Sequence, residues 1–177
     1  QSKIYYLKKD LLKAKIVLED ILTTNPDFNL ARNDLAVIYH ESGLTVKAIE
    51  CLRYALESNN YNYDILKNLG DLYCYSEKYE EALSVYKLIV NEYPEDTEVL
   101  KTLSRLSLDA GFKDDAVLYL TNALKIDPQN KELEKMINGI SDLSNPDNDK
   151  KVSAGMSTVL KSNEKNIPMV SIIILTF

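Results

Sequence analysis

Apolar residues recur three and four apart through most of the first 143 positions, the spacing that places one stripe on a helix face. Ala31–Ser42 and Val46–Ser58 are two such stripes with a tight turn between them, and the pair then repeats. Ala48, Ala82 and Ala116 stand 34 residues apart, as do Leu35, Leu69 and Leu103, each followed by a small residue: Ala36, Gly70 or Ser104. Leu52, Tyr86 and Leu120 keep the same interval, and Pro94 and Pro128 close successive units. A fixed period of this length predicts helical hairpins that stack on their neighbours. Small residues at fixed offsets let the two helices of a hairpin approach, while a large side chain from the partner fills the gap. Gly43 and Gly111 mark the turn inside two hairpins, and Ser76-Glu77-Lys78 takes that place in the third.

This code resembles the tetratricopeptide repeat family, whose Leu-Gly, Tyr, Ala, Phe and Pro positions match Leu69-Gly70, Tyr73, Ala82, Tyr86 and Pro94. Departures are Ile89 for the usual Ala, Ser107 for the usual Tyr, and the absence of Trp. The resemblance implies an all-α fold, a right-handed superhelical solenoid of helix hairpins with a C-terminal linker and an orphan strand-like segment. The register gives a truncated first repeat at 1–28, whole repeats at 29–62, 63–96 and 97–130, and a capping helix at 131–143 built on Leu133, Met136, Ile137 and Ile140. A start inside a repeat leads us to expect further repeats upstream.

In this family the first helix of every unit lines a concave groove that takes peptides. Carried across residue by residue, the groove positions are Asn33, Val37 and His40, then Lys67, Asn68, Asp71 and Cys74, then Lys101, Arg105 and Leu108. Lys67, Lys101 and Arg105 are candidates to meet acidic groups, Asn68 to hydrogen-bond a peptide backbone, and Asp71 to oppose an acidic ligand. The best-known groove of the family grips a C-terminal carboxylate with five Lys, Asn and Arg side chains. Only Asn68 fits that scheme, since Asn33, Val37, Glu98 and Thr102 hold the other four places. The alternative for the charged set is an ordinary solvated helix face. Of the 12 tyrosines, Tyr39, Tyr73 and Tyr86 fall at core positions and are expected to fill the interior, whereas Tyr61, Tyr63 and Tyr93 lie near loops.

Composition narrows the function classes. At 177 residues, 45% hydrophobic and 27% charged with 5 Gly and 5 Pro, the chain is neither disordered nor collagenous and is too short for a multi-domain enzyme. A net charge of −6 without basic blocks argues against a nucleic-acid partner. Cys51 and Cys74 read as small apolar helix residues, and with His40 as the lone histidine no zinc-ligand spacing exists. Without a signal-like N-terminus the expected compartment is cytoplasmic, and no apolar run reaches the ~20 residues of a membrane span.

After Leu143 the pattern breaks. Residues 144–168 read as a polar linker with a short helix around Gly155–Lys161, and 169–177 as a β-branched run with the composition of a buried strand. Pro-Met-Val-Ser-Ile-Ile-Ile-Leu-Thr-Phe at 168–177 resembles the first strand of the family 2 glycosyltransferases, with Leu175 for the usual Pro and Phe177 for the usual Tyr. That resemblance implies the start of a nucleotide-binding α/β domain in which Thr176 and Phe177 help hold a nucleotide sugar, with a divalent metal bound further on. The chain itself is expected to hold no cofactor and to catalyse nothing. The expected function is a protein-interaction module forming the N-terminal acceptor- or partner-binding part of a bacterial transferase. The alternative is a free-standing adaptor or assembly scaffold, with self-association through the C-terminal strand as a further expectation.

Overall fold

The structure, a computed structural model, describes residues 2–57 and 62–142, with side chains from 10 to 57 and 62 to 141. Eight helices follow in order: α1 Ser2–Thr24, α2 Asn29–Glu41, α3 Thr45–Glu57, α4 Tyr63–Tyr75, α5 Tyr79–Glu92, α6 Thr97–Asp109, α7 Lys113–Ile126 and α8 Lys131–Asp142. No strand occurs among the described residues. The all-α repeat fold read from the sequence therefore holds. The expected linker at 144–168, its helix at 155–161 and the strand at 169–177 with Thr176 and Phe177 lie outside the described residues.

Residues up to Glu77 form one compact unit and those from Lys78 a second. In the first, α1 packs on α2, α2 on α3 and α3 on α4; in the second, α5 packs on α6, α6 on α7 and α7 on α8. The repeat signature is the core of each. Ala48, Ala82 and Ala116 are fully buried, as are Ala36, Ser104, Leu52 and Leu120, while Leu35 and Leu69 are almost so. In the first unit Ala14, Leu18, Ala31, Leu35 and Ile38 form one apolar cluster. In the second, Leu100, Ala116, Leu120 and Ala123 pack with Leu133 and Ile140 of α8, flanked by Met136 and Ile137, so the last helix docks through the stripe its sequence predicts.

Helix ends follow the same period. Asn62 Oδ1 accepts from Asp64 N, Asp96 Oδ1 from Glu98 N and Val99 N, and Asn130 Oδ1 from Glu132 N and Leu133 N, at 2.9–3.3 Å. These three N-caps lie 34 residues apart and satisfy amide donors that have no partner inside their own helix. At the corresponding place before α2 stands Phe28, which cannot cap. There Arg32 ties down the entering chain instead, donating from Nε and Nη2 to the Pro26 carbonyl at 3.0 and 2.6 Å and stacking 3.8 Å from the Tyr54 ring centroid.

The turns inside the hairpins need a left-handed residue. Gly43 (φ +80°) and Gly111 (φ +83°) supply it, and the equivalent Glu77 adopts φ +58° despite its side chain.

Candidate functional site

The first-helix positions singled out in the sequence fall on α2, α4 and α6. In the first unit, α2 and α4 bring Asn33 and Asn68 together: Asn68 Nδ2 donates to Asn33 Oδ1 at 2.9 Å, with Asn68 fully buried and Asn33 nearly so. Next to Asn68 on α4, Lys67 Nζ lies 2.8 Å from both oxygens of Asp71, one turn on, their side chains 15% and 4% exposed. Val37 is buried on α2, and Cys74 is half-buried on α4 and in no disulfide. The face is thus a polar ladder of a carboxamide pair and an ion pair set among apolar positions.

His40 closes α2. Its Nδ1 is 3.1 Å from Thr45 Oγ1 and its ring meets the Tyr75 ring edge-on, centroids 4.7 Å apart. Desolvation lowers its pKa below the ordinary 6.5, only partly countered by Glu41, so the imidazole is neutral at pH 7. With the Thr45 hydroxyl and the Tyr75 ring for neighbours, it packs and hydrogen-bonds within the first unit.

In the second unit the candidates are Lys101, Arg105 and Leu108 on α6, all half-buried. Lys101 pairs with Glu98, and Arg105 Nη1 lies 3.7 Å from Asp109 Oδ2. Each of the three cations expected to meet acidic groups is therefore engaged by a carboxylate three or four residues away on its own helix. That pairing was readable in the i, i+4 spacing of Lys67 with Asp71 and of Arg105 with Asp109.

Other polar contacts belong to the scaffold. Tyr73 and Tyr86 are buried as expected, but Tyr39 is only half-buried, and its hydroxyl donates to Glu19 Oε1 at 2.9 Å, joining α2 to α1. Lys15 and Lys47 lie 5.4 and 5.9 Å from that ring. Desolvation first, and then Glu19, push the phenol up to about 12. Burial likewise raises the Cys51 thiol, which makes it a poor nucleophile. Among the described residues no group of three His, Cys, Asp or Glu side chains could hold a metal, and no helix is long and apolar enough to cross a membrane.

The sequence profile of the tetratricopeptide repeat family matches residues 41–106. A TPR repeat-containing protein of Bacillus subtilis, YpiA, is 28% identical over 134 residues, covering 73% of this chain and 31% of its own length. The chain spans less than a third of the curated relatives it matches first. Among solved structures, a tetratricopeptide repeat protein from Parabacteroides merdae superposes with a TM-score of 0.70 at 21% identity, over 94% of this chain and 65% of that one. The first such domain of Spaghetti, bound to the HSP90 peptide SRMEEVD, matches 64% of this chain and 90% of that one with a TM-score of 0.55 at 20% identity. YrrB, described as having an unusual peptide-binding site, matches 76% of this chain and 69% of that one with a TM-score of 0.59 at 17% identity. Repeat register, helix pairing and the match over 41–106 together give this chain the tetratricopeptide-repeat fold in its described helices.

Proposed function

We propose that the first helices α2 and α4 in one unit, and separately α6 in the other, each take a peptide segment of a protein partner, with Asn33, Val37, Asn68 and Asp71, and Lys101, Arg105 and Leu108, as the candidate positions. One observation carries the reading. The fold is already held by the signature core, yet α2 and α4 spend buried positions on two carboxamides and an ion pair that the repeat code does not require. Buried polar groups cost stability unless they are paired, and even paired they stabilise little, which makes a role in specificity the reason to retain them. The HSP90-peptide complex of Spaghetti and the peptide-binding site described for YrrB add support by likeness of fold.

The partner is a protein acceptor or an assembly factor, and in the intact protein these repeats are the N-terminal part of a bacterial family 2 glycosyltransferase. The β-branched sequence at 170–175, followed by Thr176 and Phe177, supports that reading through its resemblance to the first strand of that family and its buried-strand composition. Tethering through 144–168 raises the local concentration of acceptor at a nucleotide-sugar site. Deleting residues 1–143 from the intact protein is expected to raise KM for the protein acceptor at least tenfold while leaving donor hydrolysis unchanged. A frame after Phe177 without an Asp-x-Asp in an α/β pattern, or an acceptor KM that does not move, contradicts the transferase reading. The first outcome favours the alternative, a free-standing adaptor or assembly scaffold.

A further inference from the structure

Helix α1 differs from the other second helices of the repeat on its outward side. Leu12 and Ile16 are 58% and 57% exposed, on the side away from Ala14 and Leu18, which pack with Ala31, Leu35 and Ile38 of α2. In the 34-residue register their counterparts are Val46 and Glu50 on α3, Glu80 and Ser84 on α5, and Asp114 and Leu118 on α7. All six are exposed too, although each of those helices follows the first helix of its own hairpin. The two positions therefore face outward in every repeat, and a first helix placed before α1 leaves them uncovered. The other helices put at most one apolar residue there, whereas α1 puts two, one turn apart.

The charges along α1 are polarised about this pair. Tyr5, Leu12, Ile16 and Thr23, spaced by seven, four and seven, share one line along the helix. Lys8 and Lys9 flank that line in its first half, and Glu19 and Asp20 flank it in the second. Asp20 is exposed, and Glu19, which accepts from Tyr39, keeps 44% of its side chain exposed. Such a face is complementary to itself when reversed. In an antiparallel pair centred on residue 14, Leu12 meets the partner's Ile16, Lys8 lies beside the partner's Glu19 and Lys9 beside the partner's Asp20, and the two-fold repeats each contact. A parallel pair sets lysines against lysines and carboxylates against carboxylates instead. We infer that a second copy of this chain docks on α1, antiparallel and two-fold, through Leu12 and Ile16 with the basic and acidic ends crossed. One helix from each copy makes a small interface, so the dimer is weak and forms with rising concentration. The inference does not depend on the peptide-binding reading, since α1 is not among the helices proposed to take a peptide.

Sedimentation equilibrium of the 177-residue chain is expected to show the 20.1 kDa monomer passing to twice that mass between about 5 and about 500 µM. Leu12→Glu with Ile16→Glu, at exposed positions, is expected to weaken dimerisation at least about tenfold while circular dichroism stays unchanged. Lys9→Glu alone and Asp20→Lys alone are each expected to weaken it about threefold or more, and the two together in one chain to restore it, because the two-fold then re-forms the pair with its signs exchanged. A chain that stays monomeric throughout, or a dimer that tolerates the Leu12/Ile16 change, overturns the inference. Loss of the dimer on deleting residues 169–177, with no effect of the α1 variants, assigns self-association to the C-terminal segment and overturns it as well. Failure of the double charge reversal to restore what the single ones lose overturns the antiparallel arrangement.

Discussion

The hairpin turns offer a sharp test, because three equivalent positions adopt the same left-handed backbone with different side chains. Gly43 and Gly111 sit at φ +80° and +83°, and a Cβ built on either meets nothing within 4 Å. Replacement by Ala therefore adds no clash, and its cost is the backbone penalty alone, about 1–2 kcal/mol for an L-residue in this region. Restricting the unfolded chain returns about 0.4–1 kcal/mol, which leaves a net loss near 1 kcal/mol for each variant. Glu77 already bears that penalty at φ +58°, so Glu77→Gly is expected to stabilise by about 0.5–1 kcal/mol and Glu77→Ala to change almost nothing. Urea unfolding followed by circular dichroism reads all four variants through their midpoints, provided the slope is unchanged. Because stacked repeats can open piecemeal, hydrogen exchange should place the effect of Gly43→Ala in α2 and α3 and that of Gly111→Ala in α6 and α7. A neutral Gly43→Ala, or a Glu77→Gly that destabilises, refutes the reasoning.

Further expectations concern buried polar groups. Ser104 is fully buried and its Oγ has no hydrogen-bond partner among the described residues, so Ser104→Ala should raise stability by about 1 kcal/mol in the same urea assay. Truncating Asn68 to Ala should cost about 1–3 kcal/mol, and a double-mutant cycle with Asn33→Ala should return a coupling of about 0.5–3 kcal/mol; additivity would remove the ladder. For His40 the folded state prefers the neutral ring, so its contribution is complete above pH 6.5 and is lost as pH falls through the lowered folded value. NMR titration should give a midpoint below 6.5, and His40→Gln should flatten the acid limb of the stability profile.

Much of the fold was legible because the repeat code is a packing code. Leu69-Gly70 and Ala82 could be recognised at a distance of 34 from their counterparts since each must occupy the same crowded contact in its own unit. The cap series Asn62, Asp96 and Asn130 was equally periodic and went unread, because a polar residue between helices looks like loop until its acceptor is seen meeting amides. Tyr39 was misjudged as simple core: a phenol at that position still needs a partner for its hydroxyl, and Glu19 on a neighbouring helix supplies it. The substitution of an Arg32–Pro26–Tyr54 anchor for a missing cap at Phe28 depends on tertiary placement that no local pattern encodes. On the candidate face, Lys67 and Arg105 have the Asp71 and Asp109 carboxylates within reach, since one helical turn brings such groups together.

The central claim is that protein partners meet this chain on its first helices. The most direct measurement places a photo-cross-linking phenylalanine analogue at Leu108 on α6, and separately at the exposed Leu118 on α7, in the intact protein inside its own cell. The account predicts that one discrete protein is trapped from position 108 and none from 118. Equal trapping from both positions, or capture from 118 alone, would place recognition on the second helices and contradict it.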